Sequence, residues 1–230
     1  MSYKISNNIQ KGKKIIISIE GNIGSGKSTF LKLMRKYFKD NVKYVDEPVT
    51  DWLKVQTDDG CNLIENFYAD KERYGYIFQN FAYITRIRRL YDAILNSKED
   101  IIITERSVES DRHLFAEMLE EDGYINKMEK GCYDYWYNFL NIEIDYFVYI
   151  KTTPENCMKR IGERSRRGED MIEREYIDKL DEKHNKWLLK KKNMIILDGN
   201  LNFRDDEGIF NEYLDEIKSK CIIEDKCIVR

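Results

Sequence analysis

The run GNIGSGKS, Gly21 to Ser28, constrains the fold of this chain more than any other stretch. It matches G-x-x-x-x-G-K-[ST] without a gap. Its glycines let backbone N–H groups turn inward around a phosphate, and Lys27 reaches the β- and γ-oxygens. Ser28 offers a hydroxyl to Mg²⁺ at a helix N-terminus, where the dipole favours anions. Such a loop needs a strand before it and a helix after it. The β-branched run Ile15 to Ile19 and the helical periodicity of TFLKLMRKYF supply both. Gly21, Asn22, Ile23, Gly24, Ser25, Gly26, Lys27 and Ser28, with Thr29 behind them, are therefore expected to hold a nucleoside triphosphate; a chance glycine-rich turn is the alternative.

Four further apolar runs follow: 42–45, 100–106, 145–154 and 193–199. Helical patterns lie between them near 74–95, 113–121, 132–141, 155–163 and 173–191, with a last one near 205–219. Short, continuously apolar strands alternating with helices predict an α/β fold, a five-stranded parallel sheet covered on both faces. No repeat or linker interrupts the pattern, and 230 residues fit one domain, with a polar extension at 1–12 and a tail at 219–230.

Net charge is −3, so there is no electrostatic drive toward nucleic acid or membrane. Cys61, Cys132, Cys157, Cys221 and Cys227 form no CxxC pair, and with two histidines the chain lacks a structural zinc pattern. No apolar run approaches the ~20 residues of a membrane helix, and no signal segment is visible. A reduced, cytoplasmic protein is expected.

The ligand crevice of a parallel sheet lies at the carboxyl ends of its strands. Two runs end in charge there: Asp46-Glu47 and Thr104-Glu105-Arg106. Lys27, Glu47, Glu105 and Arg106 should converge. Glu47 can accept a hydroxyl proton, Arg106 can neutralise charge on a transferring group, and Glu105 can hold Mg²⁺ with Ser28. A structural ion pair between Glu47 and Arg106 is the competing reading.

RIGERSRRGED carries a second basic cluster: Arg160 and Arg164 on one helix face, then Arg166 and Arg167. A lid closing over triphosphate accounts for it, as does a solvated face paired with Glu163, Glu169 and Asp170. On the long helix, Gln79, Ala82, Tyr83 and Arg86 form one stripe, suited to reading a planar polar ring. Asp111 can fix the fork of Arg86, and Trp52, Phe67, Phe78 and Phe115 can wall in the ring or be plain core.

Taken together, EGNIGSGKSTF, EPVTDW, FQNFAYITRI, ERSVESDRHLF and RIGERSRRGED…EREYIDKL…H…WL resemble the deoxyribonucleoside kinases, nearest the deoxycytidine/deoxyguanosine branch. The likeness runs from about Ile15 to Phe203. It implies transfer of the ATP γ-phosphoryl to a deoxyribonucleoside 5′-hydroxyl, with Mg²⁺, in a homodimer formed through helices flanking the lid-distal edge. It implies Glu47 as general base, Arg106 beside the 5′-oxygen and Glu105 at the magnesium site. Gln79 is then the amide on the base edge, Phe115 the stacking ring, and Tyr68 and Glu169 the pair on the 3′-hydroxyl. Arg160, Arg164 and Arg166 become lid arginines, with Trp52 and Ile64 on the substrate pocket and Phe203 on the donor side. A small residue at 82 with Arg86 and Asp111 implies deoxycytidine or purine deoxynucleosides rather than thymidine, because the ion pair fills the space a thymine methyl needs. Leu201 and Asn202 depart from an acidic pair common in the family.

Two rival readings remain. A thymidylate-type monophosphate kinase shares the loop and a Glu-Pro, but needs a cation where Asp46 stands, and an aspartate there would repel the acceptor's phosphate dianion. A nucleotide-binding protein without catalysis would retain the loop alone.

Overall fold

The computed structural model describes residues 14–166 and 168–221. The extension at 1–12, the tail beyond residue 221, Cys227 and Arg167 lie outside them. Five strands form one parallel sheet in the order β2-β3-β1-β4-β5: β1 (Ile15–Glu20), β2 (Lys43–Val45), β3 (Ile101–Glu105), β4 (Tyr146–Lys151) and β5 (Met194–Asp198). All five expected strands are present. Central β1 pairs β3 on one side and β4 on the other, with Ile19 opposite Glu105 and Val148.

The period-2 alternation explains why these runs are apolar throughout. Ile17, Ile19, Ile101, Ile103, Val148 and Ile150 face one side of the sheet, onto Phe30 and Met34 of α1 (Lys27–Phe38) and Leu214 and Ile217 of α10 (Glu207–Lys220). Ile16, Ile102, Phe147 and Tyr149 face the other side. There they meet Tyr83 and Leu90 of α4 (Lys71–Asn96) and Tyr133 of α7 (Lys127–Leu140). Each fully buried Ile or Phe contributes roughly 1.5–3 kcal/mol. The edge strand β5 departs from the two-sided pattern, with Ile196 exposed.

Two elements escape the sequence pattern. The segment after Glu47 turns into α2 (Val49–Trp52), and α3 (Leu63–Ala69) follows. Asn62 caps α3, accepting from the Ile64 and Glu65 amides while the Glu65 side chain accepts from the Asn62 amide. That Asn-x-x-Glu signature was readable in the sequence. The helix expected near 113–121 begins earlier, at α5 (Val108–Ser110), and passes through a π-helical turn, Asp111–Ala116, into α6 (Glu117–Glu121). Such turns are rare and concentrate at functional sites. α8 (Pro154–Arg164) and α9 (Arg174–Leu188) complete the set, and α10 runs past the expected start of the tail at residue 219. No helix among the described residues is long and apolar enough to cross a membrane.

Candidate active site

The carboxyl ends of β1, β2 and β3 open onto a crevice of about 830 Å³. The phosphate loop floors it. Gly24 and Gly26 hold φ of 78° and 102°, and a side chain at Gly24 would strike the Cys157 carbonyl; left-handed backbone and close approach both call for glycine. Lys27 Nζ donates to the carbonyls of Gly21 (3.1 Å) and Asn22 (2.7 Å). Burial above all, then the nearby Arg106, lowers the Lys27 pKa to about 7. Ser28 Oγ donates to Glu105 Oε1 at 2.7 Å. These two hard oxygen donors suit Mg²⁺, which takes few protein ligands and completes its shell with phosphates and water. Among the described residues no group of three or more His, Cys, Asp and Glu side chains forms a closed metal cage.

Arg86 organises the far wall. Its Nε donates to Asp111 Oδ2 (2.8 Å), its Nη1 to the Glu105 carbonyl (2.9 Å) and its Nη2 to Glu47 Oε1 (3.1 Å). Arg106 Nε lies 3.5 Å from the same Glu47 oxygen. Burial would raise the Glu47 pKa, but Arg86, then Arg106 and Lys27, bring it down to about 2. Its side chain is 19% exposed, against 3% for Arg86 and 2% for both Arg106 and Asp111. All four line the crevice, and Glu47 is the most exposed of them.

Arg106 has φ +63°, a left-handed conformation that costs a non-glycine residue about 1–2 kcal/mol. The surroundings hold it there. Its amide donates to the Ile19 carbonyl, and its own carbonyl accepts from Thr104 Oγ1. The next residue, Ser107, donates from both amide and hydroxyl to Glu20, a fully buried carboxylate that also accepts from Ser18 and Ser110.

Gln79 Nε2 donates to the Asp111 carbonyl at 2.9 Å. A carbonyl only accepts, so the amide nitrogen must face it and Oε1 remains as acceptor. Phe67 and Phe78 stack with centroids 4.6 Å apart, and Trp52 meets Phe78 edge-on while its Nε1 donates to Thr85 Oγ1. Ile64, Tyr68, Ala82 and Phe115 complete this wall. Opposite, Glu169 is clasped by Arg164 (2.6 Å) and Arg166 (3.0 Å), and Arg160 donates to the Ser25 carbonyl. Phe203 lies against Gly26.

The crevice thus gathers most of the residues singled out in the sequence. Gly21, Asn22 and Ser25 sit beneath the loop rather than on its surface, Asn22 anchoring it to the Ile177 carbonyl. Tyr83 turns to the core, packing on Tyr133 and donating to the Trp136 carbonyl. Asp46 also needs correction. It points away from the crevice and pairs with Arg35 at 2.6 Å, so the argument that it repels an acceptor phosphate fails; Glu47 is the acidic group at that strand end. Lys32, Lys159, Tyr176, Arg204 and Asp205 line the crevice without having been anticipated, because their helical or loop positions carry no motif.

A family model for deoxynucleoside kinases matches residues 17–222. The chain belongs to this family. It is an ATP-dependent kinase of deoxynucleosides, with the P-loop type of fold that the loop and sheet order display. Deoxycytidine kinase 2 of Gallus gallus is 36% identical, over 88% of this chain and 89% of its own. Human deoxycytidine kinase is 36% identical over 76% and 75%. The mitochondrial deoxyguanosine kinase of Xenopus laevis is 34% identical over 83% and 80%. A deoxynucleoside kinase needs a triphosphate cradle and a slot for sugar and base facing it, and this crevice has the glycine loop with Lys27 on one side and the Gln79 wall on the other.

Proposed function

We propose that this kinase phosphorylates deoxycytidine and purine deoxynucleosides in preference to thymidine, with Glu47 as general base. The observation that carries the reading is the three-way fork of Arg86. One guanidinium ties Asp111, beside the base amide Gln79, to Glu47, beside the expected 5′-oxygen. The paired Arg86 and Asp111 occupy the space a thymine methyl needs, while Gln79 Oε1 and the ion pair meet a base edge that carries an exocyclic amine.

In the proposed reaction the 5′-oxygen attacks the γ-phosphorus of ATP and its proton passes to Glu47. The bond from the γ-phosphorus to the β–γ bridging oxygen breaks, and ADP leaves. A carboxylate with pKa about 2 is a weak base in the free protein. A phosphoryl group arriving beside Arg106 competes for that guanidinium and raises the Glu47 pKa. Little basicity is needed when the transition state is loose and the proton leaves late. Lys27 and Arg106 neutralise charge on the transferring group. Tyr68 and Glu169 are assigned to the sugar 3′-hydroxyl, and Phe115 to the face of the base. Arg160, Arg164 and Arg166 belong to a lid that closes on the triphosphate. Ser28 and Glu105 would hold Mg²⁺, which when bound draws charge from the phosphate oxygens.

We further assign the chain to one kinase domain working in the cytoplasm as a homodimer. Tyr135 and Trp136 on α7 and Ile77 and Ile84 on α4 are exposed apolar side chains that support an interface. Sedimentation of Trp136→Glu against the unaltered protein tests it; an unchanged sedimentation coefficient removes that face from the assignment. The decisive experiment on substrate is a panel of deoxynucleosides and deoxycytidine monophosphate, assayed with ATP. Deoxycytidine and purine deoxynucleosides should exceed thymidine in kcat/KM. Preference for thymidine, or for the monophosphate, rejects the reading.

A further inference from the structure

Arg106 has a partner that the proposed reaction does not use. Its Nε faces Glu47 and its guanidinium lies over the Phe115 ring, 5.0 Å from the centroid. Its Nη1 meets Nε2 of His184, on α9, at 3.4 Å. His184 is fully buried, and phosphoryl transfer does not in itself call for an imidazole there.

The protonation of this ring follows from its partners. Nδ1 lies 2.6 Å from the Leu180 carbonyl oxygen, one turn back along the helix. A carbonyl only accepts, so Nδ1 carries a hydrogen. A guanidinium only donates, so Nε2 must present its lone pair. The Gly21 carbonyl and Lys27 also face the ring from the phosphate loop. Protonating Nε2 would let it donate to Gly21, but would set a second cation against Arg106 and Lys27 in a buried place. Burial foremost, then Arg106, holds the His184 pKa well below 6.5, in keeping with a neutral ring. Tyr149 of β4 stacks on it, centroids 5.9 Å apart and planes 3° from parallel. The imidazole is therefore clamped by a stacked ring, a helix carbonyl and a guanidinium, with its acceptor aimed at Arg106.

We propose that His184 is a positioning residue for phosphoryl transfer: its Nε2 lone pair holds Arg106 Nη1, so that the rest of the guanidinium faces Glu47 and the transferring phosphoryl group. The inference rests on the catalytic reading of Arg106 given above. At 3.4 Å the contact is a long one, and catalytic contacts of this kind shorten in the reacting complex. An imidazole that only filled the core would need no particular acceptor. The aimed lone pair is what separates the two roles.

Three substitutions and a control test it, with kcat, KM and thermal unfolding measured for each. His184→Leu keeps approximate volume and removes the acceptor. It should lower kcat by about 10²-fold, the cost of a small misplacement, while KM for nucleoside and ATP stays within about 3-fold. Glutamine sets an amide oxygen where Nε2 stands, so His184→Gln should regain about 10-fold over leucine. Asparagine reaches only as far as Nδ1, so His184→Asn should stay near the leucine value. If the leucine variant fails to fold, glutamine against asparagine decides alone. Losses that follow the unfolding temperature, or equal activity of the glutamine and asparagine variants, overturn the inference. The control is Arg106→Ala, alone and with His184→Leu; the second substitution should add nothing, because its effect passes through the missing guanidinium. Wild-type kcat in Arg106→Ala would reject the proposed role of Arg106 itself. Collapse of turnover in Arg106→Ala with full kcat in His184→Leu would reject the His184 inference alone.

Discussion

At the nucleoside end of the crevice the charges are paired and nearly sealed from water; at the lid end they are paired and half open. Arg86 and Asp111 are 3% and 2% exposed and lie on α4 and a π-helical turn wedged against the sheet. Arg164 and Arg166 are 33% and 30% exposed, and both clasp Glu169 on a short turn beyond α8. A buried guanidinium with three acceptors has one geometry, whereas two part-exposed guanidiniums that share one carboxylate are less constrained. On the proposed reading, the acceptor side is preformed and the donor side is left for its ligand to complete. Glu169 spans the two, since the carboxylate assigned to the sugar hydroxyl is the one that restrains the lid arginines.

The sharpest way to break this contrast is Glu47→Gln. If the acceptor side is preformed chemistry, turnover should fall by about 10²-fold or more, while ATP binding, followed by titration calorimetry, stays near wild type. Unchanged turnover would make Glu47 a structural partner of Arg86 and Arg106.

Next in size is the Arg86–Asp111 pair. Arg86→Met alone strands a buried carboxylate and should cost about 3–5 kcal/mol in denaturant unfolding. Adding Asp111→Ala should recover part of that stability and shift kcat/KM toward thymidine. A double mutant no more stable than the single one, or with unaltered preference, contradicts a sealed specificity pair.

On the donor side, Lys27 predicts a pH effect. Its pKa is depressed to about 7 in the free protein, and a triphosphate beside it must raise that value. Above pH 7, where the free lysine is largely neutral, ATP binding should therefore take up as much as about one proton; below pH 6 it should take up almost none. Calorimetry at pH 8 in buffers of different ionisation enthalpy reads this directly. Proton-neutral binding at pH 8 would show that Lys27 is already charged.

The smallest effect belongs to Asp46→Asn. The residue is exposed and paired with Arg35 outside the crevice, so stability should change by less than about 1 kcal/mol. Activity on deoxycytidine monophosphate should remain as low as in the parent. A gain of that activity would restore Asp46 to the site.

Much of this was legible in the residues. The glycine spacing announced the cradle, the β-branched runs announced all five strands, and charges at strand ends announced Glu47, Glu105 and Arg106, because each signal is local to a few consecutive residues. Direction was less legible. Tyr83 belongs to the same helical stripe as Gln79 and Arg86, yet turns into the core, since a stripe wide enough to span a pocket wall also spans its edge. Asp46 and Glu47 are neighbours just past the end of β2, yet one pairs with Arg35 and the other with Arg86. Sequence adjacency could not say which of them met the crevice.

The chain alone determined that a triphosphate loop opens a parallel sheet, and that acidic and basic groups crown it, because these depend on backbone geometry and strand polarity. Only the tertiary structure decided that one guanidinium joins Asp111 to Glu47, that Arg106 stands in a left-handed turn, and that His184 backs it. Arg106 and His184 are 78 positions apart, and distance along a chain carries no record of which side chains meet.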